Sequence, residues 1–571
     1  MRRLSLGWLV FLLLSATGSP AAGARLQYEW EGVPRIVAVG DVHGAYDNLV
    51  NVLKNAGLID DELDWVGGEA HLVQVGDVVD RGANSRRCLD LLMELEQEAE
   101  RAGGQVHVLI GNHEAFHVTG ITDHTTPEEF RSYVDLESED IRERSFMTFF
   151  RQQIEAGGTR RRGPNGDARG TFDEKYPPGY FGHREAFEQD GYYGRWILEH
   201  NVAVRLNGIV FSHGDWSVEI SALGIEKVNE EVRKELRGEA SLENGVTFHV
   251  QGPLQYRGLA EVPLTDEQQK AHADEVNQIL ANLQAQRMVV GHTVTKGVIE
   301  PRFGGKHISI DTGMLEIYDG GHQIALEIQG DLLSAIHSGG KVPLPDHLDE
   351  TTTFEYWEDV ATVDKNNYTL YVQLSEAYGE RGDLEGARRS LEQLFRGSHP
   401  VPFGYNRSLG DVYQEMGMPE AAREQYLVFI DGFKSLITQT PSNPLLKNVL
   451  IRFCVDKGLE LDMAEEMLRQ ALKESPKDPS FLLTLGRFQI AQRQFRQAVE
   501  SLEKSIELGT PGYEAYYHLG LARLGMGETA EARQAFELAI QADPTGEGAR
   551  EELQKLVDSQ NLSKEEVQTH E

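Results

Sequence analysis

Between residue 34 and about residue 330, short apolar runs alternate with polar or helix-patterned stretches. The runs Ile36–Val39, Leu72–Val75, Val106–Ile110, Val202–Leu206, Ile209–Phe211, Met288–Val290 and Ile308–Ile310 read as strands. Asn207-Gly208, set between two of them, predicts a tight hairpin turn. Helix-patterned segments follow the first two runs, over Ala45–Ala56 and Ser85–Ala102. Strand, polar loop, helix is the rhythm of an α/β layered fold. Residues 120–190 interrupt it with a stretch rich in Arg, Gly, Asp and aromatics. That insertion reads either as a solvated excursion or as a lid over a substrate.

The pattern changes after a linker expected at residues 331–360. Ala464, Ala498 and Ala532 stand 34 residues apart, and Leu468, Leu502 and Phe536 keep the same step. Leu485-Gly486 recurs as Leu519-Gly520, while Ala377-Tyr378 and Val412-Tyr413 mark two earlier copies. Small residues at a 34-residue period, where paired helices touch, resemble the tetratricopeptide repeat. The resemblance implies an all-α solenoid over residues 361–557, with a degenerate unit around Asn448–Pro476 and a polar tail at 558–571.

The apolar runs end in chemistry. The clusters are Gly40-Asp41-Val42-His43-Gly44, Gly76-Asp77-Val78-Val79-Asp80-Arg81-Gly82, Gly111-Asn112-His113-Glu114, Ser212-His213-Gly214-Asp215, Val290-Gly291-His292-Thr293 and Ile310-Asp311-Thr312-Gly313. Carboxylate, imidazole and amide oxygen are hard or borderline donors that suit a pair of divalent cations. Asp41 and His43 can reach one cation from a single loop. Asp77 ends the neighbouring strand, where its two oxygens can bridge. Asn112, His213 and His292 complete six ligands. Two cations roughly 3.5–4 Å apart lower the pKa of a shared water, and the resulting hydroxide can attack phosphorus in line. His113, next to Asn112, is the natural general acid, and Asp80 is placed to orient it. Arg81 and Arg257 are candidates for a guanidinium fork on phosphate. His107, His117 and His124 fit no cluster and read as surface or packing residues.

In this order the motifs resemble the metallophosphoesterases, and within them the phosphoprotein phosphatase group. Tyr176-Pro177-Pro178-Gly179-Tyr180-Phe181-Gly182, the run Gly191 to Trp196, Pro253-Leu254-Gln255-Tyr256-Arg257 and Ser309-Ile310-Asp311-Thr312-Gly313 look most like the Shewanella-like phosphatases. The resemblance covers residues 34 to about 330 and implies a central β-sandwich flanked by helices. It implies Asp41, His43, Asp77, Asn112, His213 and His292 as metal ligands, with manganese or iron as the metals. It also implies His113 and Asp80 as the acid pair and Arg81 as a phosphate clamp. Arg257 sits in a motif that differs from that of the eukaryotic enzymes, and His213 is followed by Gly-Asp where they have Gly-Gly. The function implied is hydrolysis of phosphomonoesters, phosphoprotein or phosphopeptide foremost, with the repeats recruiting a protein partner. Dinucleoside polyphosphate hydrolysis and an inactive repeat scaffold are the alternatives.

The formal net charge of −36 disfavours nucleic acid and anionic lipid as partners. Cys88 and Cys454 fall in different expected domains and read as free buried thiols. Arg2 and Arg3 precede the apolar run Leu4–Leu14, and small residues lead to Ala22-Gly23-Ala24 before Arg25. This layout predicts a signal peptide over residues 1–24 and export to the periplasm or beyond, with a signal anchor as the alternative. The apolar run is about half of the roughly 20 residues that span a bilayer, and no later segment is apolar enough to span one.

Overall fold

The computed structural model describes residues 26–568 apart from 156–167, 264, 319–320, 347, 397–400, 442 and 510. The expected signal peptide, residues 1–24, lies outside the described residues. Contacts divide the chain into two compact units, residues 1–400 and 401–571.

In the first unit, two six-stranded sheets stack. One carries, in order, β1 (Glu29–Trp30), β5 (Ala203–Leu206), β6 (Ile209–Ser212), β7 (Arg287–Val290), β9 (His307–Ser309) and β8 (Glu300–Arg302). The other carries β12 (Gly340–Pro343), β11 (Leu332–His337), β10 (Ala325–Gln329), β2 (Ile36–Val39), β3 (His71–Gln74) and β4 (Gln105–Val108). Within them β2, β3 and β4 run parallel, as do β6, β7 and β9. Their carboxyl ends therefore gather the loops that carry the polar clusters.

The apolar runs are continuous because each strand is buried on both faces. Ile36 and Ala38 of β2 pack inward with Val73, Phe211, Val289, Ile308 and Leu326, a core drawn from both sheets. Val37 and Val39 face the other way and pack with Leu53 and Leu92 from the helices Tyr46–Asn55 and Ser85–Ala102. The result is the expected sandwich flanked by helices. Asn207 (φ +48°) and Gly208 (φ +74°) form the hairpin turn that brings Leu206 opposite Ile209.

The expected linker at 331–360 is not a linker. Leu332–His337 pairs antiparallel with Ala325–Gln329, and Val342 lies opposite Ala335. Ser338 and Gly339 make the hairpin turn between β11 and β12, with His337 opposite Gly340. Neither run is strongly apolar on its own. They join the sheet through β10, whose Leu326 pairs with Ala38 of the distant β2. The described residues of the insertion at 120–190 form helices with an aromatic core, in which the rings of Phe172 and Phe181 lie 5.2 Å and 5.6 Å from that of Tyr176.

The repeat region also begins differently from expectation. The helices Glu350–Val363, Tyr368–Glu380 and Leu384–Leu394 belong to the first unit. Asn367 Nδ2 donates to the Gly297 carbonyl at 2.6 Å, and buried His337 Nδ1 pairs with Asp364 at 3.0 Å. The second unit stacks helix pairs at the repeat period. A side chain at Gly486 would collide with Leu502, and one at Gly520 with Phe536, so glycine lets each pair of helices approach. The last helix, Glu547–Gln568, runs through most of the segment expected as a polar tail. Cys88 and Cys454 are free and buried. Among the described residues no helix is long and apolar enough to cross a membrane.

This boundary has a measurable outcome. Deleting residues 401–571 is expected to leave the melting temperature of the first unit unchanged. Deleting 361–571 removes Asp364, Asn367 and buried Leu370 as well, and is expected to lower it by several degrees. Equal melting temperatures for the two truncations would contradict the boundary near residue 400.

Candidate active site

Five side chains of the expected site sit on residues with positive φ: His43 (+48°), Asp77 (+56°), Asp80 (+69°), Arg81 (+65°) and His292 (+64°). Such a backbone costs about 1–3 kcal/mol per non-glycine residue and persists where surrounding bonds over-determine it. Those bonds are visible here. Val42 N and His43 N both donate to the Asp77 carbonyl, at 3.0 and 2.9 Å. Glu114, fully buried, accepts from Asp77 N (2.8 Å), Val78 N (2.8 Å) and Gly111 N (2.9 Å). The glycines in the motifs permit the close stacking. A Cβ at Gly82 would stand 2.2 Å from the His43 carbonyl oxygen, and one at Gly76 would stand 2.6 Å from Gly111 N.

The six expected ligands converge. Asp77 Oδ2 lies 3.7 Å from His43 Nε2, 3.7 Å from His113 Nε2 and 3.3 Å from His213 Nε2. Asp41 Oδ2 stands 3.9 Å from His43 Nε2, and Asp41 Oδ1 stands 3.8 Å from His213 Nδ1 and accepts from His292 N at 3.0 Å. Asn112 Oδ1 is 2.8 Å from His213 Nε2. Two donor groups emerge, His43–Asp77–His113 and Asp77–His213–His292, each with its donor atoms within 4.8 Å of one another. Asp77 belongs to both.

The electrostatics ask for positive charge. Burial, with Asp311 and Asp77 close by, pushes Asp41 well above the usual carboxylate range. Burial likewise pushes Asp311 up to about 6. Asp77 goes the other way: burial opposes its charge, but His213 and His113 outweigh that and hold it well below the ordinary range. Burial lowers His43 to about 3 and His292 to about 2, so both keep a free lone pair at neutral pH. Clustered buried carboxylates beside neutral imidazoles and an amide oxygen fit divalent cations. Asp41, His43, Asp77, Asn112, His213 and His292 are the residues that would hold them.

His113 Nδ1 lies 2.7 Å from Asp80 Oδ2, as the acid pair requires. Burial disfavours the imidazolium, but Asp77 and Asp80 together hold its pKa above the ordinary value. Arg81 reaches the same space, with Nη1 3.1 Å from His43 Nε2 and Nη2 3.3 Å from His113 Nε2. It also donates to the Tyr318 hydroxyl. Arg257 borders the opposite side, donating to the His292 carbonyl, with Nη2 3.4 Å from His292 Nδ1.

Several residues beyond the expected set take part. Asp215, the departure after His213-Gly214, binds His307 Nε2 at 2.6 Å and accepts from Leu259 N (2.7 Å) and Ala260 N (2.8 Å). It fastens the segment that carries Arg257. His117, expected as a surface or packing residue, is fully buried with Nε2 2.8 Å from Asp80 Oδ1. Thr125 Oγ1 donates to the same oxygen at 2.7 Å. His107 does pack internally, with Nε2 2.9 Å from His71 Nδ1, and His124 is exposed, its ring 5.1 Å from that of His113. Glu114 stood inside a recognised motif, so its capping role was within reach. The Asp215–His307 and Asp80–His117 pairs had no spacing signal.

The chain is similar to several known proteins. The family model described as calcineurin-like phosphoesterase matches residues 34–295, and a tetratricopeptide-repeat model matches residues 482–547. Shewanella-like protein phosphatase 2 of Arabidopsis thaliana is 31% identical over 319 residues, covering 54% of this chain and 78% of that protein. Shewanella-like protein phosphatase 1 of Plasmodium berghei is 26% identical over 294 residues, covering 50% and 68%. Among solved structures, a cold-active protein-tyrosine phosphatase of a psychrophilic Shewanella species is 25% identical, with a TM-score of 0.42, covering 56% and 83%. By these matches the chain belongs to the calcineurin-like phosphoesterases, as a metal-dependent phosphatase domain joined to tetratricopeptide repeats.

Proposed function

We propose that the chain hydrolyses phosphomonoesters at a two-cation centre, that phosphoproteins or phosphopeptides are its substrates, and that the repeats capture a protein partner. The observation that carries the two-cation reading is Asp77, the one carboxylate shared by both donor groups. The relatives named as protein phosphatases support the substrate class. Manganese or iron suits the donor set of carboxylate, imidazole and amide oxygen.

When bound, the cations supply Lewis-acid charge and a nucleophilic water at neutral pH. The chain's own groups do the rest. The Asp80 carboxylate accepts a hydrogen bond from His113 Nδ1–H, which turns the Nε2–H of the protonated ring toward the reaction space. From there His113 can deliver a proton to the departing oxygen. Arg81, braced by Tyr318, and Arg257, braced by the His292 carbonyl, present guanidinium groups to phosphoryl oxygens from two sides.

The substrate class is tested on purified protein with Mn²⁺. Phosphate release from phosphopeptides is expected. Turnover confined to diadenosine tetraphosphate would overturn the substrate assignment.

Asp77→Asn is expected to abolish turnover, because an amide cannot neutralise two cations as a carboxylate does. Near-normal activity with full metal content would refute the shared-ligand reading.

His113→Asn is expected to lower kcat by about 10²–10⁴-fold while the metals remain bound. The loss should be smaller on aryl phosphates, whose leaving groups need less protonation. Equal losses on alkyl and aryl substrates would count against the acid role.

A further inference from the structure

Behind the His113–Asp80 pair lies a second set of donors. His117, Glu129 and His183 come from three helices, Asn112–Thr119, Pro127–Arg131 and Tyr180–Phe187, and all three are completely buried. One donor atom from each lies within 4.8 Å of one from each of the others. His117 Nδ1, Glu129 Oε2 and both ring nitrogens of His183 have no hydrogen-bond partner. Buried polar atoms are normally paired, so four orphans in one place call for an occupant. Apart from the Ser85 hydroxyl beside Glu129, the wall is largely aromatic. Phe130, Tyr133 and Phe187 pack on the His183 ring at 5.1, 4.9 and 4.6 Å.

The orientation of His117 points the same way. Its Nε2 faces Asp80 Oδ1 at 2.8 Å, so Nε2 carries the proton and Nδ1 presents its lone pair to the pocket. Carboxylate, imidazole, cation is the usual order around a metal-binding histidine, the carboxylate fixing tautomer and ring angle. The surroundings also favour positive charge. Burial works against a charged His117, yet Asp80 and Glu129 outweigh it and hold its pKa above the ordinary value, so a proton competes with a cation for Nδ1.

We propose that His117, Glu129 and His183 bind a divalent cation, zinc by donor chemistry, separate from the centre around Asp77. Two imidazoles and one carboxylate are a set that zinc takes in tetrahedral sites, with ligands at about 2.0–2.2 Å. Such an ion would tie the insertion, through Glu129 and His183, to the helix that carries His113. It would also fix Asp80, whose two oxygens face His117 and His113. His117, Glu129 and His183 would be positioning residues, acting through Asp80 without touching substrate.

The test is zinc content by mass spectrometry, together with anomalous scattering at the zinc edge from crystals of the full chain grown with zinc. Wild type is expected to hold about one equivalent more than Glu129→Gln or His183→Leu, with an anomalous peak between the three side chains. Glu129→Gln keeps size and shape, so its loss of zinc does not depend on repacking. In Asp77→Asn the peak at these residues is expected to remain, which separates this site from the phosphatase centre. A wild-type map with no peak there, or unchanged zinc content in Glu129→Gln, would overturn the proposal.

Discussion

The Glu114 carboxylate is the fixed point of the molecule. It sits one residue beyond His113 and takes four backbone N–H groups, those of Gly111, Asp77, Val78 and Val79. The loops after β3 and β4 are thereby locked to each other. Asp77 can then occupy a left-handed backbone that its own side chain does not favour, and Asp77 N–H is consumed in the same bond. Burial alone pushes Glu114 towards its neutral form, and Asp77 adds to that push, while the donated N–H groups resist it. Charge-assisted bonds of this kind are roughly twice as strong as neutral ones, which makes this carboxylate the natural place to absorb the strain of the loop.

From that anchor the architecture follows. Parallel strands in both sheets direct their loops to one edge of the sandwich, and glycines keep those loops within contact of each other. The insertion between the third and fourth motifs closes one side of the site. It brings Thr125, Glu129 and His183 up behind Asp80, so the surroundings of the His113–Asp80 pair include residues far outside the short motifs.

The candidate centre was legible in the sequence because each of its expected ligands follows an apolar run, and strand ends leave little freedom to the residue beyond. Asp41, His43, Asp77, Asn112, His213 and His292 come together as expected. The parts that were hidden depend on partners distant in the chain. Asp215 needs His307, 92 residues away, to define its role, and His117 needs Asp80. The strands at 325–343 were obscured for a related reason: the hairpin of β11 and β12 looks like a linker until β10, itself paired to the distant β2, supplies its neighbour. The helical period was clear, but a period does not reveal which unit its first helices join. Asn367 and Asp364 decide that through bonds to Gly297 and His337.

The two buried cysteines carry a consequence for chemical durability. Burial pushes the Cys88 thiol far above its ordinary range and Cys454 up to about 11. The thiolate is the species that attacks disulfides and peroxides, and almost none exists at either position near neutral pH. In an oxidising compartment the folded chain therefore carries two thiols with no tendency to cross-link neighbouring copies. That hazard returns only when a unit opens, which makes the rate of unfolding the quantity that sets resistance to oxidation.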